Sequence, residues 1–194
     1  MLFRSPVNAQ VFWRLPGAQF EESESTRAGA VLKSFRQRVS VPFPAMRGIP
    51  EQFRFDPADR PCYLTVSGLE VRDAAGTTVW KWNGAMTAFE GQAMHDIVFA
   101  GRWKGECLWA ITGGDPFLTL PLCAEARERL QGGGAVEFDA ALRTAEEAAA
   151  AAIEERAAAK DWQGEVEQRD RLIRKLSHAL AEAQARHGGS GAIS

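Results

Sequence analysis

The sequence predicts a mainly β fold: an antiparallel β-sandwich or jelly roll, followed by a long C-terminal α-helix that forms a coiled coil. All nine prolines and five of the six tryptophans precede Leu122, whereas residues 138–187 are a proline-free run rich in Ala, Glu, Arg and Leu. Such strong helix formers in one long run predict a single helix. We therefore divide the chain into a β-sandwich domain at 1–139, a coiled-coil helix at 140–187 and a flexible tail at 188–194.

Alternating apolar residues predict the strands of the first part. In residues 7–15 every second side chain is apolar, namely Val7, Ala9, Val11, Trp13 and Leu15. Further strands are expected at 31–41, 52–55, 63–73, 77–82, 96–99, 106–112, 117–121 and 135–138, with a short helix at 124–130. Gly68 breaks the alternation where a β-bulge would fit. Short strands at this spacing, joined by Gly and Pro turns, favour a sandwich or jelly roll. The expected core residues are Trp13, Phe35, Phe55, Leu64, Val66, Val71 and Trp109.

The C-terminal run carries an apolar heptad pattern. Its first half is almost all alanine, which buries little area, so the larger side chains near the C-terminus hold most of the hydrophobic drive. Asp139 precedes the run and is expected to cap the first turn. The pattern predicts a homo-oligomer held together through Trp162, Val166, Ile173, Leu176 and Leu180.

Composition excludes several classes of function. The chain has 23 basic and 25 acidic side chains and a net charge of −2, so nothing attracts it generally to nucleic acid or to anionic lipid. There is no apolar run long enough to span a membrane and no signal peptide, so we expect a cytoplasmic protein. The three cysteines have no CxxC spacing, which argues against a disulfide framework and a zinc site. No phosphate-binding, nucleophile or metal motif occurs, and we expect no enzyme activity, no cofactor and no catalytic residue.

One polar stretch, FRFDPADRP at residues 53–61, has two interpretations. In the first, Asp56, Asp59 and Arg60 fix a rigid turn between strands, because each proline holds the residue before it extended. In the second, the same three side chains line a ligand groove, in which Trp80 or Trp82 stacks on a sugar ring. Core packing is the alternative explanation for the tryptophans. The candidate ligand-binding residues are Trp80, Trp82, Trp103, Arg60, Asp56 and Asp59.

Five segments together carry a resemblance to a known group of proteins. They are QVFW at 10–13, FEESES at 20–25, FRFDPADRP at 53–61, LEVRDAAG at 69–76 and VW at 79–80. Over residues 7–112 the chain resembles a β-sandwich module of bacterial O-antigen and capsule glycosyltransferases and methyltransferases, where a similar module is joined to a coiled coil and to catalytic domains. The resemblance implies a carbohydrate-binding-like jelly roll in surface-polysaccharide or lipopolysaccharide biosynthesis. The chain has no transferase domain, so catalytic activity is not implied.

We therefore expect a non-catalytic glycan-binding or scaffold module, whose partners are an oligosaccharide or polysaccharide and a glycosyltransferase. A purely structural oligomerisation or protein-interaction protein is the first alternative. A small hydrolase using Asp56, Asp59 or Glu90 is the second. Aromatic side chains exposed on one sheet would favour glycan binding, an aliphatic face would favour the structural protein, and two carboxylates meeting in a pocket would favour the hydrolase.

Overall fold

A computed structural model of the protein describes residues 4–160, and these residues form a mainly β fold. The strands are β1 (Arg4–Arg14), β2 (Ser25–Lys33), β3 (Gln37–Phe43), β4 (Gln52–Asp56), β5 (Cys62–Asp73), β6 (Thr78–Lys81), β7 (Met94–His95), β8 (Ile97–Trp103), β9 (Glu106–Ile111), β10 (Phe117–Thr119) and β11 (Gly134–Arg143). Helix α1 is Ala124–Leu130, and short 3-10 helices lie at Glu22–Glu24 and Met86–Phe89. Helix α2 begins at residue 145 and continues to residue 160, the last that is described.

The strands form two antiparallel sheets. Sheet A has the order β2-β1-β4-β10-β7, and sheet B has the order β3-β11-β5-β9-β8, with β6 also paired to β5. Their inward faces share one hydrophobic core, because alternate residues of every long strand point to the opposite sheet. Its largest fully buried side chains include Trp109, Phe53, Phe55, Phe138, Leu64, Leu69 and Leu118. Both sheets belong to one compact unit that ends at Ala152, and a second unit begins at Ile153.

Several local predictions are confirmed. Helix α1 has the predicted limits, and β5 and β6 form a hairpin in which Val71 pairs with Trp80. The predicted bulge lies at Gly68, where the register between β5 and β11 shifts. Gly68 has φ +58°, and a Cβ there would lie 2.6 Å from Asp139 Oδ2. Glycine is therefore required both by the backbone and by the space around it.

The predicted strand 31–41 is wrong, because the structure divides it into β2 and β3. A turn at residues 34–36 separates the two strands and takes the chain from one sheet to the other. Phe35 lies in this turn and is 51% exposed, so it does not belong to the core as expected. The other six predicted core residues are buried.

The predicted boundary after residue 139 falls inside a strand. Strand β11 continues to Arg143, and Ala140, Ala141 and Leu142 are buried in it. Asp139 consequently does not cap a helix. Thr144 takes that place: its Oγ1 accepts a hydrogen bond from the amide of Glu147, and its own amide donates to Glu147 Oε2. This reciprocal pair is a capping box, and it fixes the start of α2.

The first turns of α2 lie against the outer face of sheet B. Ala148 and Ala151 are buried there over Leu108, with Ala100 and Trp103 beside them. Small side chains let the helix approach the sheet closely, which gives these alanines a packing role within the compact unit. The residues expected to hold the oligomer together (Trp162, Val166, Ile173, Leu176 and Leu180) and the expected tail at 188–194 lie outside the described residues.

Candidate functional site

A polar groove lies on the outer face of sheet A. Because Val11 in β1 and Phe55 in β4 point into the core, the side chains of Gln10, Phe12, Arg54 and Asp56 point outward. The antiparallel register places Gln10 opposite Asp56 and Phe12 opposite Arg54. The groove has a volume of about 220 Å³ and is lined by Asn8, Gln10, Phe12, Glu22, Arg27, Asp56, Ala58, Asp59, Gly114, Asp115 and Pro116. We call it the sheet A groove.

Arg54, beside this groove, is held by two carboxylates and two aromatic rings. Its Nε and Nη2 each donate a hydrogen bond of 2.8 Å to the two carboxylate oxygens of Asp56, and Nη2 also contacts Asp115. The guanidinium lies between two rings, 4.8 Å from the centroid of Phe12 and 4.3 Å from that of Phe117. Bidentate pairing and ring stacking together fix the plane of the guanidinium before any ligand arrives.

Hydrogen bonds also order one wall of the groove. Gln10 Nε2 donates to Glu22 Oε2 at 3.0 Å and to Ser25 Oγ at 2.8 Å. Arg27 Nε donates to Gln10 Oε1 at 2.7 Å, and Arg27 Nη2 pairs with Glu22. The 3-10 helix that carries Glu22 is thereby tied to β1 and β2. This wall presents an amide, a guanidinium and a carboxylate in fixed positions.

Two of the three aspartates that line the groove have pKa values shifted in opposite directions. Burial raises the pKa of Asp56 to about 6, although hydrogen bonds and the positive charge of Arg54 oppose this rise. Burial acts in the same sense on Asp59, but hydrogen bonds from Arg60 and Asn8 outweigh it and lower the pKa of Asp59 to about 2. Asp59 is therefore ionised throughout the physiological range, whereas Asp56 changes charge near its lower end.

An aromatic pair extends the same face toward the edge of sheet A. The rings of His95 and Phe117 lie 5.7 Å apart at an angle of 30°, which is closer to stacked than to edge-on. The His95 side chain is 59% exposed. Beside the charged groove, the sheet thus offers a ring surface that is open to solvent.

No protein-family model, no curated protein and no solved structure matches this chain. Among residues 4–160, no group of three or more His, Cys, Asp or Glu side chains has the arrangement of a metal site. Within the same residues, no helix combines the length and the apolar character needed to cross a membrane.

The structure brings together only two of the six residues that the sequence offered as ligand contacts. Asp56 and Asp59 both line the sheet A groove. Arg60 pairs with Asp59 at 3.1 Å, whereas Asp56 pairs with Arg54, so the three side chains do not meet in one groove. Arg60 instead lines a separate cavity of about 460 Å³ with Pro61, Cys62 and Tyr63.

The three candidate tryptophans lie away from this groove. Trp80 and Trp82 both pack against Phe89. Trp82 is 3% exposed and offers no ring face to a ligand. Trp103 is half-buried beside α2, with Lys104 Nζ 5.7 Å from its ring centroid. Trp82 therefore packs in the core, which was the alternative explanation for the tryptophans.

Sequence patterns alone do not identify several residues of the site. Gln10, Phe12 and Arg54 stand on the polar side of strands whose apolar side had been recognised. The spacing of Arg54 and Asp56, two residues apart in a strand, was a usable signal that they share a face. Arg27, Asp115 and Phe117 come from distant segments, and only the strand order brings them to the groove.

Proposed function

We propose that this chain is a non-catalytic module that binds an oligosaccharide in the sheet A groove and serves in bacterial surface-polysaccharide assembly, of the O-antigen or capsule kind. Within this proposal the two sheets are a β-sandwich of the jelly-roll type, as the resemblance over residues 7–112 implies. The observation that carries the proposal is the fixed Arg54–Asp56 pair at a groove that also presents Gln10 and Arg27.

The chemistry of this groove suits a sugar. Neighbouring hydroxyls of a pyranose both donate and accept, so they fit a surface where carboxylate, amide and guanidinium groups alternate. The aliphatic face of a sugar ring also packs on an aromatic ring, and Phe117 with His95 offers one at the side of the groove. Because these side chains are already ordered, binding costs little conformational entropy.

The affinity of a single groove is expected to be weak. A shallow polar site with one ring contact supports binding in roughly the micromolar to millimolar range. Several copies joined by a C-terminal coiled coil would raise the apparent affinity for a repeating polysaccharide. The proposal therefore includes a homo-oligomer, a glycosyltransferase as protein partner and a cytoplasmic location.

The carboxylates are suited to binding rather than to catalysis. A pair of acids with pKa values moved apart is the pattern of an acid and a base in glycoside hydrolysis, and Asp56 with Asp59 shows that split. However, both oxygens of Asp56 accept hydrogen bonds from Arg54, and both oxygens of Asp59 accept from Asn8 or Arg60. Glu90, the third candidate, is exposed and does not line the groove.

Titration of the full chain with bacterial O-polysaccharide and capsule fragments tests the proposal. We expect saturable shifts in the NMR spectrum, concentrated on the amides around Gln10, Arg54, Asp56 and Phe117, and no release of reducing sugar. A broad panel of fragments that produces no saturable shift, together with capture of a glycosyltransferase, would replace glycan binding by the scaffold function. Release of reducing sugar that is lost on substitution of Asp56 would establish the hydrolase.

A further inference from the structure

Strand β5 has two successive partners along one of its edges. Residues Cys62 to Val66 pair with β9, and residues Glu70 to Arg72 pair with β6. Among the described strands, none pairs with Ser67 and Gly68 on that edge. A cavity of about 680 Å³ opens at this gap, far from the sheet A groove in the strand order, and shares no lining residue with it. We call it the sheet B cavity.

Four basic side chains line the sheet B cavity, and most of their charge is not neutralised. Arg36 forms an ion pair with Glu106. Lys81, Arg102 and Lys104 have no carboxylate within ion-pair distance among residues 4–160. Asp139, the other acid of the lining, pairs with Arg38 at 3.5 Å. Three of the four basic side chains therefore lack an ion-pair partner, and the charged side chains of the lining carry a net charge of +2, which favours an anion between them.

The guanidinium of Arg102 is held in place before any ligand binds. Arg102 donates one hydrogen bond to the carbonyl of Gly84 and another to that of Gly105, each 3.2 Å long. These glycines stand in the loops on the two sides of the gap. The ammonium of Lys104 lies 5.7 Å from the ring centroid of Trp103. An ordered guanidinium loses little freedom on binding, which is what a selective anion site requires.

We propose that the sheet B cavity is a second ligand site, which binds a small molecule carrying a diphosphate group. A planar guanidinium matches two oxygens of a phosphoryl group, and two flexible lysines supply point charges for the remaining oxygens. The volume of about 680 Å³ is some three times that of the sheet A groove and accommodates an ester as well as the diphosphate itself. This inference depends on sheet B alone and is independent of the glycan proposal.

Calorimetric titration of the full chain with inorganic pyrophosphate tests the site. We expect one saturable site whose affinity falls as salt is added, because the contacts are between charges. The double variant Lys81→Gln/Lys104→Gln should bind about tenfold more weakly or worse. The matched control is Lys33→Gln/Lys160→Gln, which removes the same charge elsewhere; Lys33 also lies over a ring, 5.0 Å from the centroid of Phe35.

Three results would overturn the inference. The first is no saturable heat up to about 10 mM pyrophosphate. The second is equal weakening in the two double variants, since binding would then follow overall charge. The third is binding of citrate as tight as that of pyrophosphate, which would remove the phosphoryl specificity. If the lysine variant does not fold, NMR shifts of the unaltered protein decide: they should concentrate on residues 81–84 and 102–107, and shifts elsewhere contradict the site.

Discussion

Arg54 and Asp56 stand two residues apart on β4, and the guanidinium of the first donates two hydrogen bonds of 2.8 Å to the carboxylate of the second. Alternation along a strand places residues i and i+2 on one face, so this pair forms within a single strand. Phe12 and Phe117 cover the two sides of the guanidinium. One short segment thereby fixes a charged pair at the groove on sheet A, and side chains of other segments complete the lining of that groove.

Replacement of Arg54 by Lys should weaken glycan binding by about tenfold or more, because an ammonium neither pairs with both oxygens of Asp56 nor stacks as a plane between two rings. Isothermal titration with the best-binding polysaccharide fragment measures the change. The control is Arg47→Lys, an exposed position in the loop between β3 and β4. Equal affinity of the two variants would show that Arg54 does not serve the groove.

The stability cost of Asp56 should depend on pH. Its pKa of about 6 in the folded protein exceeds the ordinary value of 3.8, so the folded state holds this proton more tightly than the unfolded chain does. Its contribution to stability is thus fully present below pH 3.8 and is lost as pH rises through 6. The Asp56→Asn variant cannot titrate there. As pH rises from 3.8 to 6, the free energy of unfolding of this variant should increase by up to about 3 kcal/mol relative to that of the unaltered protein.

Denaturant melts of both proteins at matched pH values measure that difference, and all other titrating groups cancel in the comparison. A difference that stays constant from about pH 4 to about pH 7 would mean that Arg54 fully offsets the burial of Asp56.

The compact unit should fold when the chain ends at residue 152 but not when it ends at residue 138. The shorter fragment lacks the second half of β11, including the buried residues Ala140, Ala141 and Leu142. Burial of Leu142 alone contributes about 1.5–3 kcal/mol. The missing half of β11 also pairs with the first half of β5, which would lose that partner. Thermal melts by circular dichroism should be cooperative for residues 1–152 only. A cooperative melt of residues 1–138 would contradict the role given to β11.

Docking of α2 on sheet B should be sensitive to one alanine and insensitive to its neighbour. Ala151 is fully buried, and Ala150 in the same turn is exposed. Ala151→Glu would bury an unpaired charge and should lower the free energy of unfolding by about 2 kcal/mol or more. Ala150→Glu makes the same chemical change in solvent and should have little effect. Similar losses in both variants would indicate that only helix propensity had changed.

Self-association through the C-terminal run is a separate prediction. Replacing Trp162 and Ile173 by Ala removes two large apolar side chains, each worth about 1.5–3 kcal/mol when buried, from a seam otherwise rich in alanine. Sedimentation should show an oligomer that this double variant loses and that Arg156→Ala/Lys160→Ala keeps. A monomeric unaltered protein at tens of micromolar, on the order of the concentrations that favour weak association, would rule out the oligomer.

Strands that bury large side chains were easier to predict than strands that bury small ones. Strand β1 was recognised because Val11 and Trp13 alternate with polar residues. Strand β2 was placed wrongly because its inward residues include Ala28 and Ala30, which carry little hydrophobic signal. The second half of β11 contains Ala140 and Ala141 and was taken for helix, although pairing with β3 and β5 holds it extended. Tertiary pairing overrides the local preference of alanine there.

The site was predictable only where it is local. Asp56 and Asp59 were identified because both lie in one polar segment, whereas Arg27 and Phe117 reach the groove through strand order and register. Strand order and register are set by the whole fold and cannot be predicted from any short segment. The burial of Trp82 could not be predicted for a similar reason: whether a large ring faces solvent depends on what packs against it, and for Trp82 that neighbour is Phe89.

The cluster that buries Trp82 also has an optical consequence. Its ring centroid lies 5.5 Å from that of Trp109, at an interplanar angle of 53°. We expect two indoles held so close and so tilted to have coupled electronic transitions, seen as a paired positive and negative band in the far-ultraviolet circular dichroism spectrum. That signal requires both rings to keep one mutual orientation, so it vanishes once the core loosens even if the strands persist. The protein therefore carries a built-in spectroscopic reporter of side-chain packing, distinct from the signal of its backbone.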